Sequence, residues 1–156
     1  MVIIVGAMQE ELQAIIDQFQ LSKTKGTVFP EFCSADQQLL VCVTGIGTVN
    51  ASAGLSSLLT KYPNVEFVLN FGTAGATSKT LKQGDVVLVD QAVYGSVDVR
   101  AFGYQLGQVP RMPSHYQANG VVMTRMLEKL HKLMPVQTVN AVTMDLFVDT
   151  IQQVGD

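Results

Sequence analysis

The sequence predicts an α/β layered domain with a largely parallel sheet. Three observations predict it. Short, fully apolar runs recur along the chain, as strands buried on both faces require. Segments with apolar residues at helical spacing alternate with those runs. The length, 156 residues, is that of one domain able to bury a real core.

Val2 to Val5 is the first apolar run, closed by Gly6. From Met8 the apolar positions become Met8, Leu12, Ile15, Ile16 and Phe19, which is helical spacing. Thr27 to Cys33 and Leu39 to Val43 read as strands joined by the polar turn Ser34-Ala35-Asp36-Gln37-Gln38. A small-residue helix is expected from Val49 to Leu59, then a strand from Val65 to Leu69. Asp85 to Val93 is a long β-rich run, followed by a loop-like segment with Gly95, Gly103, Gly107, Pro110 and Pro113. Val122, Met126, Leu127, Leu130 and Leu133 mark a further helix, and Val136 to Val142 a further strand.

Composition narrows the function. Hydrophobic residues make up 47% of the chain and charged residues 15%, with a mean hydropathy of +0.27. That charged share is well below the usual share of about a quarter, which excludes a disordered tail and points to extensive buried surface. The net charge is −3, and no block of Lys and Arg exists to bind a phosphate backbone, so a nucleic-acid partner is excluded. No stretch reaches the roughly 18 apolar residues of a membrane helix. The opening MVIIVGAMQEE is too short an apolar run for a signal peptide. Cys33 and Cys42 lack metal-site spacing and read as buried thiols of a cytosolic protein.

Glycines punctuate three strand ends: Gly6, Gly45 with Gly47, and Gly72 with Gly75. Ligands of open α/β sheets bind beyond the carboxyl ends of strands, where glycine lets a ligand approach the backbone. Three such turns point to a pocket of nucleoside size, although tight turns alone also use glycine. Gly45-Ile46-Gly47-Thr48-Val49-Asn50 lacks the third glycine of the dinucleotide fingerprint, and Glu66 stands at the wrong end of its strand to meet a ribose. Gly72-Thr73-Ala74-Gly75 lacks the ending of a phosphate-binding P-loop. Nicotinamide and ATP chemistry are thereby rejected.

In the first helix, Gln9, Glu10 and Glu11 occupy the first turn, where the helix dipole favours acids. Glu11 lies three positions from Met8 and four from Ile15, so it flanks the apolar face, while Glu10 projects into solvent. A half-buried carboxylate beside Gly6 is a candidate general base for water; an ordinary first-turn acid has the same pattern. His115 and His131 have no partners at metal-ligand spacing and read as surface histidines. Ser56, Ser57 and Thr73 have no His and Asp near them in sequence to mark a triad.

Taken in order, IIVGAMQEEL, VTGIGTVNA, VLNFGTAGA, LKQGDVVLVDQAVYGSVDVRAFGYQLGQVP and TMDLFV resemble the 5′-methylthioadenosine/S-adenosylhomocysteine nucleosidases. These belong to the purine nucleoside phosphorylase/uridine phosphorylase superfamily. The resemblance covers essentially the whole chain. It implies a three-layer αβα sandwich around a twisted mixed, largely parallel sheet, assembled as a cytoplasmic homodimer without metal or redox cofactor. The implied reaction is hydrolysis of the N-glycosidic bond of methylthioadenosine and S-adenosylhomocysteine in methionine salvage. Adenine and the 5-thio-substituted ribose are its products.

The resemblance also assigns roles. Glu11 matches the glutamate that activates water, and Met8 the methionine on the ribose side. Ile46 matches a wall of the 5′-alkylthio pocket, and Thr73 stands where a serine is common beside the nucleoside. Ala74 and Gly75 match backbone around the purine. Phe147 matches the ring that stacks on adenine, with the main chain of Val148 at its edge. Val99, Phe102 and Pro110 match residues that reach into the neighbouring subunit's alkylthio pocket. Phosphorylases of the superfamily carry arginines in the first and later glycine turns to hold phosphate; here those turns read Gly6-Ala7-Met8-Gln9-Glu10-Glu11 and Asn70-Phe71-Gly72, without arginine. A phosphate beside Glu11 with no cation would be strongly disfavoured, so water is the expected nucleophile.

The family's general acid, an aspartate in a Ser-Asp motif, and its ribose-gripping glutamate, in a Val-Glu-Met-Glu string, have no counterpart in the 156 residues. Asp145 aligns with the loop before Phe147 and is not assigned as the acid. The expectation is therefore one nucleosidase-like domain, residues 1–156, lacking the family's last strands and helices. A short non-catalytic nucleoside-binding paralogue is the alternative, and a purine nucleoside phosphorylase the third reading.

Overall fold

The computed structural model describes residues 1–25 and 28–149. The chain divides into two compact units, Met1–Ala74 and Gly75–Asp156, each with a sheet of its own.

The first unit begins with β1 (Val2–Gly6), which enters α1 (Gln9–Gln18). The short β2 (Ser22–Lys23), β3 (Glu31–Cys33) and β4 (Leu39–Val43) follow, then α2 (Thr48–Lys61) and β5 (Phe67–Asn70). The sheet order is β2-β3-β4-β1-β5. β1 is central and pairs in parallel with both β4 and β5, whereas β2 and β3 run antiparallel. A strand flanked on both sides and covered on both faces must be apolar throughout, and Val-Ile-Ile-Val is.

Period-two alternation divides the core in two. Ile3, Val5, Leu40 and Cys42 face Leu58 of α2. Val41 and Phe32 face Leu12 and Ile16 of α1, with Ile4 packed against them. One helix therefore covers each face of the sheet, giving the predicted αβα layering in this unit.

The expected β3–β4 turn is held by Ser34 and Asp36. The Ser34 hydroxyl donates to Asp36 Oδ1 at 2.6 Å and accepts from the Leu39 N–H at 3.0 Å. Asp36 Oδ1 also accepts from the Gln38 N–H at 3.1 Å, a local bond of the kind that makes Asp a turn residue. β3 is shorter than the sequence predicts. Pro30 has no N–H to give a ladder, so strand pairing starts at Glu31, and the expected start at Thr27 lies outside the described residues. Glu31 is 3% exposed, and its carboxylate accepts from Lys61 Nζ at 2.8 Å and the Tyr62 hydroxyl at 3.0 Å. Cys42 is fully buried, but Cys33 is partly exposed, which corrects the expectation of two buried thiols.

The second unit carries β6 (Val86–Tyr94), a 3-10 turn (Arg100–Phe102), β7 (Tyr116–Gln117), α3 (Gly120–Leu130) and β8 (Val136–Thr143). β6 lies between β7, antiparallel, and β8, parallel. The β6–β8 register slips between Val89 and Gln91, leaving Asp90 as a bulge. Asp90 is used elsewhere: its carbonyl accepts from the Ala118 N–H at 2.7 Å and its Oδ1 from Gln117 Nε2 at 2.6 Å. Asn119 caps α3 by accepting from the Val121 and Val122 N–H groups at 3.1 and 3.2 Å.

Two predicted boundaries shift in this unit. β6 begins after Asp85, whose carboxylate accepts from the Lys82 N–H at 2.8 Å in a preceding turn. α3 stops at Leu130, and Leu133 is 76% exposed although its spacing fits the helix. The last bonds tighten to three-residue spacing, Lys132 N–H to Lys129 C=O and Leu133 N–H to Leu130 C=O, and Pro135 follows. The two-residue strands β2 and β7 and the 3-10 turn were not among the predicted elements. Residues 150–156, the end of the expected domain, lie outside the described residues.

Candidate active site

The carboxyl ends of β1, β4 and β5 meet at one edge of the first unit's sheet, because these three neighbours are parallel. All three predicted glycine turns leave from that edge. The Thr44 N–H donates to the Gly6 carbonyl at 2.9 Å, and the Phe71 N–H to the Val5 carbonyl at 2.8 Å. A Cβ on Gly6 would stand 2.7 Å from the Phe71 carbonyl oxygen and 2.9 Å from Leu12 Cδ1. Backbone and helix therefore close around a position only glycine fits.

Beyond Gly6 the chain turns through Ala7 and an extended Met8, and α1 begins at Gln9. This places Glu11 third in the helix, from where its carboxylate folds back over the entry: Oε2 accepts from the Met8 N–H at 3.2 Å. Oε1 accepts twice from Thr73, from the backbone N–H at 2.8 Å and from the hydroxyl at 2.7 Å. Glu11 is half-buried and Glu10 exposed, as helical geometry predicts. Partial burial pushes the Glu11 carboxyl up, but the Thr73 hydroxyl and N–H and the Met8 and Ala7 N–H groups outweigh it. The group sits below its ordinary value of 4.5, and is ionised at neutral pH.

The structure brings Met8, Glu11 and Thr73 together. Met8 is 37% exposed beside the carboxylate. Ile46 lies in the turn after β4, 70% exposed, its carbonyl accepting from Asn50 Nδ2 at 2.7 Å. Ala74 closes the unit, exposed like Thr73. Gly72, not singled out in the sequence as a partner of Glu11, belongs with these residues: a Cβ there would stand 3.2 Å from Oε1 and 3.3 Å from Oε2. The strand-end glycine pattern marked the turn, but nothing in the sequence linked it to the Glu11 carboxylate, which Thr73 meets across 62 residues.

The remaining expected residues lie in the second unit. Gly75 opens it and is exposed. Val99 caps the 3-10 turn and accepts from the Phe102 N–H at 2.9 Å. Phe102 is 81% exposed, and Pro110 is exposed as well. Phe147 and Val148 follow β8, with Phe147 87% exposed. Asp98, next to Val99 in the chain, forms a two-point ion pair with Arg100, at 2.7 and 3.0 Å, which holds the Asp98 carboxyl down at about 2. His115 and His131 are both exposed. Among the described residues no three His, Cys, Asp or Glu side chains gather to hold a metal. No described helix is long and apolar enough to cross a membrane.

Chemically, the first unit offers a fixed, ionised carboxylate at an open sheet edge with uncharged donors around it. The chain's three arginines, Arg100, Arg111 and Arg125, all fall in the other unit's sequence.

Comparison with known proteins agrees with this geometry. The family model described as "Phosphorylase superfamily" matches residues 1–153. A 5′-methylthioadenosine/S-adenosylhomocysteine nucleosidase of Staphylococcus saprophyticus is 31% identical over 160 residues, covering 100% of this chain and 70% of that protein. The enzyme of the same name from Listeria welshimeri is 36% identical over 125 residues, covering 78% of this chain and 53% of that protein. The chain thus spans 53% to 70% of the length of these curated relatives. Among solved structures, the Neisseria meningitidis nucleosidase in complex with methylthio-immucillin-A superposes with a TM-score of 0.87 at 28% identity, covering 98% of this chain and 68% of that one. The chain belongs to the phosphorylase superfamily and, within it, to the 5′-methylthioadenosine/S-adenosylhomocysteine nucleosidases.

Proposed function

We propose that the protein hydrolyses the N-glycosidic bond of 5′-methylthioadenosine and S-adenosylhomocysteine, with Glu11 activating the attacking water. The observation that carries this reading is the Glu11 carboxylate: ionised, held by three hydrogen bonds, and in no ion pair with a cation among the described residues. Glu11 accepts a proton from water as the water attacks the anomeric carbon. The bond from the anomeric carbon to adenine breaks through an oxocarbenium-like ribose as that water adds; its electron pair leaves with adenine, which must gain a proton at N7. This is the two-group logic of glycoside hydrolysis, and the first unit supplies its water-activating half.

The binding roles follow from the resemblance and are part of the proposal. Met8 packs on the ribose, Ile46 lines the 5′-alkylthio pocket, and Thr73, Ala74 and Gly75 border the nucleoside. Phe147 stacks on adenine with Val148 at its edge. We further infer a cytoplasmic homodimer in which Val99, Phe102 and Pro110 enter the neighbouring subunit's alkylthio pocket. The exposed Phe102 ring and the unpaired thiols of Cys33 and Cys42 support this, since free thiols suit a reducing compartment.

The test is product analysis with methylthioadenosine as substrate. Adenine and free 5-methylthioribose are expected at the same rate with and without phosphate. Formation of the ribose 1-phosphate instead would overturn hydrolysis, and binding without turnover would favour a non-catalytic nucleoside-binding role.

A further inference from the structure

We propose that Thr73 is a positioning residue for the base: it occupies Glu11 Oε1 with both of its donors and reserves Oε2 for the proton taken from water. The inference rests on the reading of Glu11 as the base and goes beyond it, to which oxygen reacts and what holds it.

A carboxylate oxygen has two lone-pair directions in its plane. On Oε1 both are taken, by the Thr73 N–H at 2.8 Å and the Thr73 hydroxyl at 2.7 Å. Both lengths are those of strong charge-assisted bonds. Oε2 receives the Met8 N–H at 3.2 Å, the long end of the range. The less engaged oxygen is the better proton acceptor, because forming an O–H there breaks less. Two donors from one residue also fix the carboxylate plane, as a single bond would not.

The clamp is anchored to the sheet. Thr73 stands three residues beyond Asn70, the last residue of β5, which is in register with Val5 of β1. The intervening Phe71 N–H is tied to the Val5 carbonyl at 2.8 Å. Gly72 lets the chain pass this close, since any side chain there would press on all three carboxyl atoms. No ion pair among the described residues involves Glu11, and its neighbour Glu10 faces solvent. The groups in contact with the carboxylate, from Ala7, Met8 and Thr73, are all uncharged. A further consequence concerns the hydroxyl. Having given its one proton to Glu11, Thr73 Oγ1 can act toward a bound nucleoside or water only as an acceptor.

The experiment compares Thr73→Val, which keeps shape and N–H but loses the hydroxyl, with Thr73→Ser, which keeps both donors. Two readouts are taken: the Glu11 carboxyl titration by carbon-13 NMR, assigned by its loss in Glu11→Gln, and the pH profile of kcat with methylthioadenosine. For Thr73→Val the Glu11 titration is expected to rise toward the ordinary carboxylate range. Its kcat falls about tenfold, the loss expected from removing one hydrogen bond to a charged group, with KM within about twofold. The acid limb of the profile moves to higher pH, because a base that binds its proton more tightly is lost earlier on acidification. Thr73→Ser, which retains both donors, keeps the Glu11 titration low and recovers most of the rate lost in Thr73→Val. Should Thr73→Val fail to fold by circular dichroism, Thr73→Ala gives the same two readouts. Wild-type titration and kcat in Thr73→Val overturn the clamp, while full turnover in Glu11→Gln overturns the base reading itself.

Discussion

The two units are built on different principles. In Met1–Ala74 the sheet is covered on both faces, and Ile3, Leu12, Leu40, Val41, Cys42 and Leu58 are all but inaccessible. In the described part of the second unit only Leu88 and Val136 join the buried apolar residues. There the eight-residue β6–β8 ladder carries the organisation, while Val89, Val121, Val142 and Phe147 stay exposed. The difference explains where a carboxylate can be held to a fixed geometry. Glu11 sits on a helix whose next residue, Leu12, is fully buried, and it is clamped by the end of a strand that pairs with the central one. A base needs that kind of support, since small misplacements of a reacting group are expensive in rate.

Substitutions can break or sharpen this contrast. Leu40→Ala should cost about 3 kcal/mol, as for other fully buried leucines, measured by urea unfolding. Leu133→Ala in the second unit should change stability by less than about 0.5 kcal/mol, as exposed sites do. Equal losses would erase the distinction between the units. Lys61→Met should cost about 2 kcal/mol, below the usual figure for a broken buried ion pair because the Lys61 end reaches solvent while Glu31 keeps the Tyr62 hydroxyl. Gly72→Ala should lower kcat about tenfold, equivalent to about 1.4 kcal/mol, by pushing the carboxylate off its clamp. Asp98→Asn in the second unit should leave the unfolding midpoint unchanged, because exposed ion pairs are screened by solvent.

The contrast also governs what could be read from the sequence. β1 and β4 show as continuous apolar runs because both of their faces are covered, and α1 shows its helical period because one of its faces is buried. Glu11 could be separated from Glu10 by the same helical geometry: Glu11 lies at helical spacing from Met8 and Ile15, while Glu10 projects to the solvated side. In the second unit Leu133 fits the helical spacing yet lies beyond the helix, which the three-residue bonds of Lys132 and Leu133 bring to an end just before Pro135. β2 and β7, at two residues each, are too short for any period to show. Pro30 could have shortened β3 in advance, as a residue without an N–H. The glycine turns and Glu11 were legible separately. Their joining was not, because the bond from Thr73 to Glu11 depends on β1 and β5 being parallel neighbours. The ion pair of Glu31 with Lys61, 30 residues apart, was hidden in the same way.

The most direct test of Glu11 as the water-activating base is Glu11→Gln, which keeps the shape and removes the negative charge. Single-turnover release of adenine from methylthioadenosine is predicted to fall by about a thousandfold or more, in the range general-base catalysis supplies, with nucleoside affinity by calorimetry within a few-fold of wild type. Turnover at the wild-type rate would contradict the account.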